Sequence, residues 1–124
     1  MSDINWEIKE KRELVEAILS LQNKDELECF LRDLMTKQEI DEFSKRFLAA
    51  QMLSKKIQYC EIIEKTGLSS TTIARISKWL KGPLGGYRLV INNLNTARSA
   101  FSTANAGGHA HSQNSVGKGL SLNS

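Results

Sequence analysis

Residues 61–82, EIIEKTGLSSTTIARISKWLKG, carry the clearest structural pattern in the sequence. Apolar residues at helical spacing precede Gly67, and a second apolar set follows a cluster of small hydroxyl residues. Glycine accepts the left-handed backbone that ends many helices, and serine is a favoured N-cap. The stretch therefore predicts a short helix that ends at Gly67 and a second helix, capped by Ser69 or Ser70, that runs to about Lys81.

The apolar positions match those of a helix-turn-helix. In that motif, residues inside the first helix, one residue after the turn and the inner face of the second helix form a shared interior. The matching residues here are Ile62, Ile63, Leu68, Ile73, Ile76 and Leu80. The outer face of the second helix then carries Ser70, Thr71, Arg75 and Lys78.

The side chains of that outer face suit a DNA groove. Arginine bridges a guanine edge with two hydrogen bonds, and threonine contacts a thymine methyl group. Hydroxyl groups and the free amides of a helix N-terminus hold phosphates. The residues expected to contact phosphates are Ser69, Ser70 and Thr72. The residues expected to reach base edges are Thr71, Arg75 and Lys78, with the DNA backbone as the alternative for Lys78.

Charge is unevenly distributed along the chain. Residues 1–44 hold twelve acidic and six basic side chains, a net charge of −6, whereas residues 45–95 hold nine basic and two acidic ones, a net charge of +7. Residues 96–124 add two basic side chains and no acidic one. A basic segment around the helix pair favours an anionic partner, of which nucleic acid is the commonest. A solvated basic face without a partner is the alternative.

The rest of the chain also has helical spacing, and no segment alternates like a strand. Asn23 with Glu26, and Thr36 with Glu39, have the spacing of N-caps with an acid three residues later. The pattern predicts an all-α fold of about six helices. They lie at about 5–22, from Asn23 to Leu34, from Thr36 to Leu53, at 58–66, at 70–81 and at 84–94.

The third helix is apolar around most of its circumference, because only Gln51 is polar between Phe47 and Leu53. Such a helix is buried on more than one side. A single chain has difficulty in enclosing it, since a domain of about 95 residues buries only ~60–65% of its unfolded surface. A homodimer in which this helix crosses its symmetry mate satisfies the pattern.

Composition changes after about Thr96. The segment 96–124 is rich in Ser, Gly, Ala and Asn, and its scattered apolar residues do not offset the entropy lost on ordering. We therefore predict one helical DNA-binding and dimerisation domain over residues 1–95 and a disordered tail over residues 96–124.

Three segments resemble the Trp repressor superfamily: LMTKQEIDEFSKRFLAAQML at 34–53, IIEKTGLSSTTIARISKWL at 62–80 and GPLGGYRLVINNL at 82–94. The last is similar to its uncharacterised YerC/YecD-type branch. The resemblance covers roughly residues 15–95 and implies an intertwined homodimer with one helix-turn-helix per subunit. It also implies a transcriptional regulator, acting as a repressor, of a palindromic double-stranded DNA site with half-sites about one helical turn apart.

The founding repressor of that superfamily holds L-tryptophan between two arginines. Arg46 and Arg75 match those arginines and Thr36 matches a threonine of the same pocket, so the resemblance implies an effector pocket at these three residues. Ile76 and Trp79 stand where the repressor has a glycine and a serine beside the ligand. Their bulk argues against L-tryptophan: either the protein's own side chains fill the pocket, or a different small-molecule effector binds. For Arg46, a pair with a carboxylate on a neighbouring helix is the alternative.

Other function classes have weaker support. We expect no enzyme, because His109 and His111 lie in the tail and no strand precedes a glycine-rich phosphate loop. We expect no metal and no other cofactor, because zinc-site spacing is absent. An RNA-binding aromatic platform is absent too, since Trp79 and Tyr87 are expected to pack. The alternative function is a protein-interaction adaptor without specific DNA binding, which would expose large apolar side chains on the outer face of the second helix.

The sequence also predicts a location. Its first residues are polar and charged, unlike a secretory signal, and it has no run of about 18 apolar residues. We therefore expect a cytoplasmic protein with no membrane partner.

Cys29 and Cys60 stand among apolar helical residues and are expected to be reduced, buried thiols.

Overall fold

The structure, a computed structural model, describes the backbone of residues 3–107 and the side chains of residues 3–99. Within these residues the chain forms six α-helices and no strand, so the predicted all-α fold is confirmed for them. The helices are α1 (Lys9–Leu19), α2 (Lys24–Leu34), α3 (Lys37–Ser54), α4 (Tyr59–Thr66), α5 (Ser70–Lys81) and α6 (Gly86–Gly107). They form two compact units that divide within α3: the first ends at Lys45 and the second begins at Arg46.

Two predicted helix starts in the first unit are confirmed by their caps. The Asn23 side chain accepts a hydrogen bond from the Glu26 amide at 3.0 Å, and α2 begins at the next residue. Thr36 and Glu39 form a reciprocal capping box. The Thr36 hydroxyl accepts from the Glu39 amide at 3.1 Å, and the Glu39 carboxylate accepts from the Thr36 amide at 2.9 Å. Each bond satisfies an amide that the helix leaves without a partner.

Helix α1 is shorter than the predicted helix at 5–22. The side-chain oxygen of Asn5 accepts a hydrogen bond from the Glu7 amide at 3.0 Å, and its carbonyl accepts one from the Ile8 amide at 3.3 Å. Asparagine thereby stabilises a turn in competition with the helix, which delays the helix start. At the other end, the Ser20 hydroxyl donates to the Ala17 carbonyl at 2.7 Å, and α1 ends at Leu19, the residue before Ser20.

Neither α1 nor α2 contains a buried residue. Most of their large apolar side chains are substantially exposed, namely Leu14, Val15, Ile18, Leu19, Leu27 and Leu34, whereas Phe30 and Leu31 are half-buried. Each helix has 11 residues, and helices of this length are marginal in water unless an apolar face is packed. A single chain therefore leaves much of the apolar surface of α1 and α2 exposed to water.

The second unit contains the hydrophobic core. Its buried apolar residues come from four helices and from the turn after α4: Ala49, Ala50, Ile62, Leu68, Ile73, Ile76 and Ile91. Ile62 and Ile73 are the largest completely buried side chains. Helix α5 packs against both α4 and α6. The core therefore fixes α5, the second helix of the predicted pair, through two neighbouring helices.

A Schellman motif ends α3. The Lys56 amide donates to the Leu53 carbonyl at 3.0 Å, and the Ile57 amide donates to the Met52 carbonyl at 3.1 Å. Lys56 itself has a φ of 65°, at the position where most helices place glycine. The segment between α3 and α4 therefore begins as a helix C-cap with a lysine in the left-handed conformation.

The apolar segment of α3 is only partly enclosed. Ala49 and Ala50 are fully buried, whereas Phe47, Met52 and Leu53 are partly buried against the core. The predicted burial on more than one side therefore holds for the two alanines. The larger side chains keep part of their surface in water within a single chain.

Helix α6 differs from its predicted bounds. It spans Gly86–Gly107, whereas the sequence predicted a helix at 84–94 and disorder from residue 96. It starts late because Gly85 has a φ of 74°, which is not helical. It continues because the following stretch is rich in alanine, and extending a helix costs far less than nucleating one. The remainder of the predicted tail, 108–124, lies outside the described residues.

Both cysteines are exposed, which corrects the prediction of buried thiols. Cys29 lies on α2, which buries no residue. Cys60 lies in the first turn of α4, whose buried face is formed by Ile62 and Thr66. Because a residue two positions away points to the opposite side of a helix, Cys60 faces away from the core.

The adjacent isoleucines of α4 provide a matched test of the core. Ile62 is completely buried, whereas Ile63 is 37% exposed, contrary to the prediction that both face inward. We expect Ile62→Ala to lower the free energy of unfolding by about 2–4 kcal/mol, through lost burial and the cavity left behind. Ile63→Ala should lower it by less than about 1 kcal/mol, as for most surface changes. Urea unfolding followed by circular dichroism measures both, and equal losses would contradict the placement of Ile62 in the core.

Candidate nucleic-acid interface

The turn between α4 and α5 is made by Gly67. Its φ is 75°, and its amide donates to the Ile63 carbonyl at 2.8 Å, which confirms the predicted left-handed C-cap. A Cβ added at Gly67 would meet no atom within 4 Å. Glycine is therefore favoured here by the backbone conformation and not by crowding.

The buried Thr66 side chain forms hydrogen bonds to the backbone on both sides of the turn. Its hydroxyl donates to the Ile62 carbonyl at 2.7 Å and accepts from the Leu68 amide at 3.1 Å. The residue is 4% exposed, so without this hydroxyl the Leu68 amide would lie buried without a partner. Sequence reasoning missed this role. The available signal was a threonine in the last helical position before a glycine.

Ser69 is the N-cap of α5, which resolves the choice between Ser69 and Ser70. Its hydroxyl accepts from the Thr72 amide at 3.1 Å and donates to the Thr72 hydroxyl at 3.1 Å. The Ser69 carbonyl accepts from the Ile73 amide at 3.0 Å. In the described chain the amides of Ser70 and Thr71 have no such partner, because they precede the first intrahelical bond. Two amides at the start of α5 are therefore available to an anion.

Two opposite faces of α5 have different chemistry. The inner face is buried and consists of Ile73, Ile76 and Ser77, with Leu80 partly buried against the core. The outer face, which we call the polar face, consists of Ser70, Thr71, Arg75 and Lys78, all of them exposed. Thr71, Arg75 and Lys78 stand four and three residues apart, so they form one stripe along the helix.

The cations of the polar face are not neutralised by neighbours. Within the described part of the chain, neither Arg75 nor Lys78 has a hydrogen-bond or ion-pair partner. By contrast, Lys9 and Lys24 in the first unit pair with Glu13 and Glu28 at 2.7 and 2.6 Å. The side chains that the sequence predicts to contact DNA are thus exposed and unpaired.

Trp79 is 39% exposed and Tyr87 is partly buried against the core. The prediction that both aromatic side chains pack is therefore confirmed for Tyr87 and wrong for Trp79. Trp79 follows Arg75 by one helical turn and Ile76 by three residues, which places it at the edge between the polar face and the buried face.

The residues of the predicted effector pocket have different surroundings. Thr36 belongs to the first unit, where its hydroxyl caps α3 through the Glu39 amide. Arg46 and Arg75 are exposed residues of the second unit, on α3 and α5. The pocket at Thr36, Arg46 and Arg75 stays a prediction.

No helix among the described residues is long and apolar enough to span a membrane. The same part of the chain holds no group of three or more His, Cys, Asp or Glu side chains placed to bind a metal ion. His109 and His111 lie outside the described residues.

Comparison with known proteins agrees with this geometry. A family model described as "Trp repressor protein" matches residues 9–95. The uncharacterized protein YerC of Bacillus subtilis (strain 168) is 30% identical over 95 residues, which make up 77% of this chain and 91% of that protein.

Two solved structures are similar as well. A TrpR like protein from Eubacterium eligens ATCC 27750 has a TM-score of 0.69 and 38% identity, covering 73% of this chain and 93% of that one. A putative Trp repressor from Staphylococcus aureus has a TM-score of 0.64 and 33% identity, covering 68% of this chain and 84% of that one. The six helices, the turn at Gly67 and these similarities together identify the chain as a member of the Trp repressor family, of the YerC type.

Proposed function

We propose that this protein is a sequence-specific, double-stranded-DNA-binding transcriptional regulator that acts as a homodimer and represses its targets. The observation that carries the proposal is the polar face of α5, which is exposed, basic and opposite the core. We call α5 the recognition helix. The charge of +7 over residues 45–95, from nine basic and two acidic side chains, attracts a polyanion to the same part of the chain. One of the similar structures, that from Staphylococcus aureus, is described as a putative Trp repressor.

The start of the recognition helix would hold the DNA backbone. The unpaired amides of Ser70 and Thr71 and the hydroxyls of Ser70 and Thr72 are donors for phosphate oxygens. Ser69 acts indirectly, because its hydroxyl already caps the helix through Thr72. The phosphate contacts thus fix the position of the helix in the groove.

Within the stripe, Thr71 and Arg75 would then read the bases. Arg75 has no partner in the described chain and has the fork geometry that matches two acceptors of guanine. Thr71 offers a methyl group to thymine and a hydroxyl to either base type. Lys78, one turn further from the helix start, reaches a base edge or the DNA backbone.

The homodimer is supported by the apolar side chains that one chain leaves in water. Helices α1 and α2 bury no residue, and Leu19 and Leu34 are 77% and 49% exposed. On α3, Phe43 is 45% exposed. A second copy of the chain is the partner that is always present, and packing these helices against it would remove their apolar faces from water. Two recognition helices would then meet a palindrome with half-sites about 34–36 Å apart.

Trp79 is the observation that favours the adaptor alternative. Its exposed ring is a large apolar side chain on the recognition helix, as a protein-binding surface requires. It is, however, a single ring beside four polar side chains of the same helix. The polar face therefore supports DNA binding more strongly than protein binding.

The proposal is tested by selecting genomic DNA fragments with purified protein at about 150 mM salt, where weak non-specific binding is reduced. Sequencing of the retained fragments should show a palindrome with half-sites one helical turn apart. Recovery of no common sequence by a folded dimer would contradict specific DNA binding and favour the adaptor.

Arg75 is expected to provide sequence preference. Arg75→Ala should weaken binding to the selected duplex by about 1–3 kcal/mol per half-site and reduce its preference over a scrambled duplex. Arg75→Lys is the matched control, since it keeps the charge and loses the ability to form bidentate hydrogen bonds. It should retain non-specific binding and lose the preference. Fluorescence-anisotropy titrations give both affinities, and wild-type preference in Arg75→Ala would remove this residue from the base-reading set.

Lys78 is expected to act mainly through its charge. Lys78→Ala should weaken binding to all duplexes alike and lower the slope of log affinity against log salt by about one ion per half-site. Lys78→Arg should leave that slope unchanged. A loss confined to the selected duplex, with an unchanged slope, would instead assign Lys78 to a base edge.

Assembly is tested by sedimentation equilibrium of the free protein. The chain has a mass of 13.9 kDa, so the molar mass measured for a homodimer should be twice that value. Leu34→Lys places a charge on the exposed apolar face of α2 and should favour the monomer, because burying an unpaired charge is strongly unfavourable. Lys24→Ala, at an exposed position of the same helix, is the control. A wild-type chain that stays monomeric at micromolar concentration would contradict the proposal.

A further inference from the structure

Arg88 joins the end of the recognition helix to α6. Its guanidinium Nη1 donates to the Leu80 carbonyl at 2.6 Å and to the Gly82 carbonyl at 2.7 Å. Both distances are short, as is usual for hydrogen bonds with a charged donor. Arg88 lies in the first turn of α6, so one side chain connects the start of that helix to the end of α5.

The end of α5 requires such a donor. The last carbonyls of a helix have no intrahelical partner and carry partial negative charge. Pro83 has no amide hydrogen, so the chain directly after the helix supplies one donor fewer. The Gly82 amide reaches only the Trp79 carbonyl, at 3.2 Å. Arg88 provides the cation and the donors that the local backbone lacks.

The two neighbouring glycines differ in a way that points to Arg88. Gly85 has a φ of 74°, and a Cβ added to it would lie 2.9 Å from Nη2 of Arg88. A Cβ added to Gly86 would meet nothing within 4 Å. Gly85 therefore both forms the bend before α6 and leaves space for the guanidinium.

We propose that Arg88 is a positioning residue for DNA recognition: it holds the carboxyl end of the recognition helix so that Arg75 and Lys78 point into the groove. This inference rests on the proposed function. The start of α5 is held by the Ser69 cap and the turn at Gly67, and its inner face is held by the core, so Arg88 adds a polar attachment at the carboxyl end. The helix is about 18 Å long, so a tilt at its free end would displace Lys78 more than Thr71.

The test uses Arg88→Gln and Arg88→Lys in the full chain. For Arg88→Gln we expect a loss in affinity for the selected duplex of about threefold to tenfold, which corresponds to the net contribution of one typical intramolecular hydrogen bond. The salt slope should stay that of the wild type, because Arg88 is engaged with carbonyls and not with phosphates. Arg88→Lys should recover part of the affinity, since an ammonium also donates to helix-end carbonyls.

The glycines give a matched pair for the same experiment. Gly85→Ala should lower affinity as Arg88→Gln does, whereas Gly86→Ala should bind like the wild type. In the Arg88→Gln background, Gly85→Ala should have a smaller effect than it has alone, because the group it displaces is already absent. Hydrogen exchange of the Gly82 amide, measured without DNA, should accelerate in Arg88→Gln. Circular dichroism at the titration temperature verifies that each variant is folded.

Three results would overturn the inference. Wild-type affinity in folded Arg88→Gln would show that the attachment does not matter for recognition. A lower salt slope in that variant would make Arg88 a phosphate contact. Unchanged exchange at Gly82 would show that the helix end is held by other groups. If the wild-type protein itself selects no duplex, the proposed function fails. If the wild type binds a duplex and Arg88→Gln binds it equally well, only the inference about Arg88 fails.

Discussion

The geometry of the recognition helix depends on one apolar contact, the packing of Ile73 and Ile76 against Ile62 and Leu68. This contact selects which side of α5 is turned inward. Because residues on opposite sides of a helix cannot both face the core, burial of the isoleucines leaves the polar face in solvent. The left-handed backbone at Gly67 then sets the path of the chain between the two helices. Apolar burial therefore determines which polar residues are available to a ligand.

The sequence predicted those features that depend on a few neighbouring residues. The caps at Asn23, Thr36 and Ser69 are formed by bonds over three residues, and the left-handed C-cap at Gly67 by a bond over four. Their short range makes them readable from residue type and spacing alone. The inner and outer faces of α5 followed from helical periodicity for the same reason. Local rules thus gave most of the candidate site.

Features that depend on distant neighbours were predicted less well. Ile63, Cys60 and Trp79 stand in apolar helical surroundings, yet each is exposed, because the position of the core relative to each helix is not encoded in the local pattern. Arg88 was missed because its partners lie across a turn, six and eight residues away. The length of α6 was underestimated because composition indicates low burial but does not exclude a helix.

We expect DNA to bind at the polar face of α5, which the core holds outward. The most direct test is to follow the backbone amide signals of the labelled protein by NMR while its selected duplex is added. The largest changes should occur from Ser69 to Lys78, and the amides of α2 should change little. Large changes confined to α1 and α2, with the signals of α5 unaltered, would contradict it.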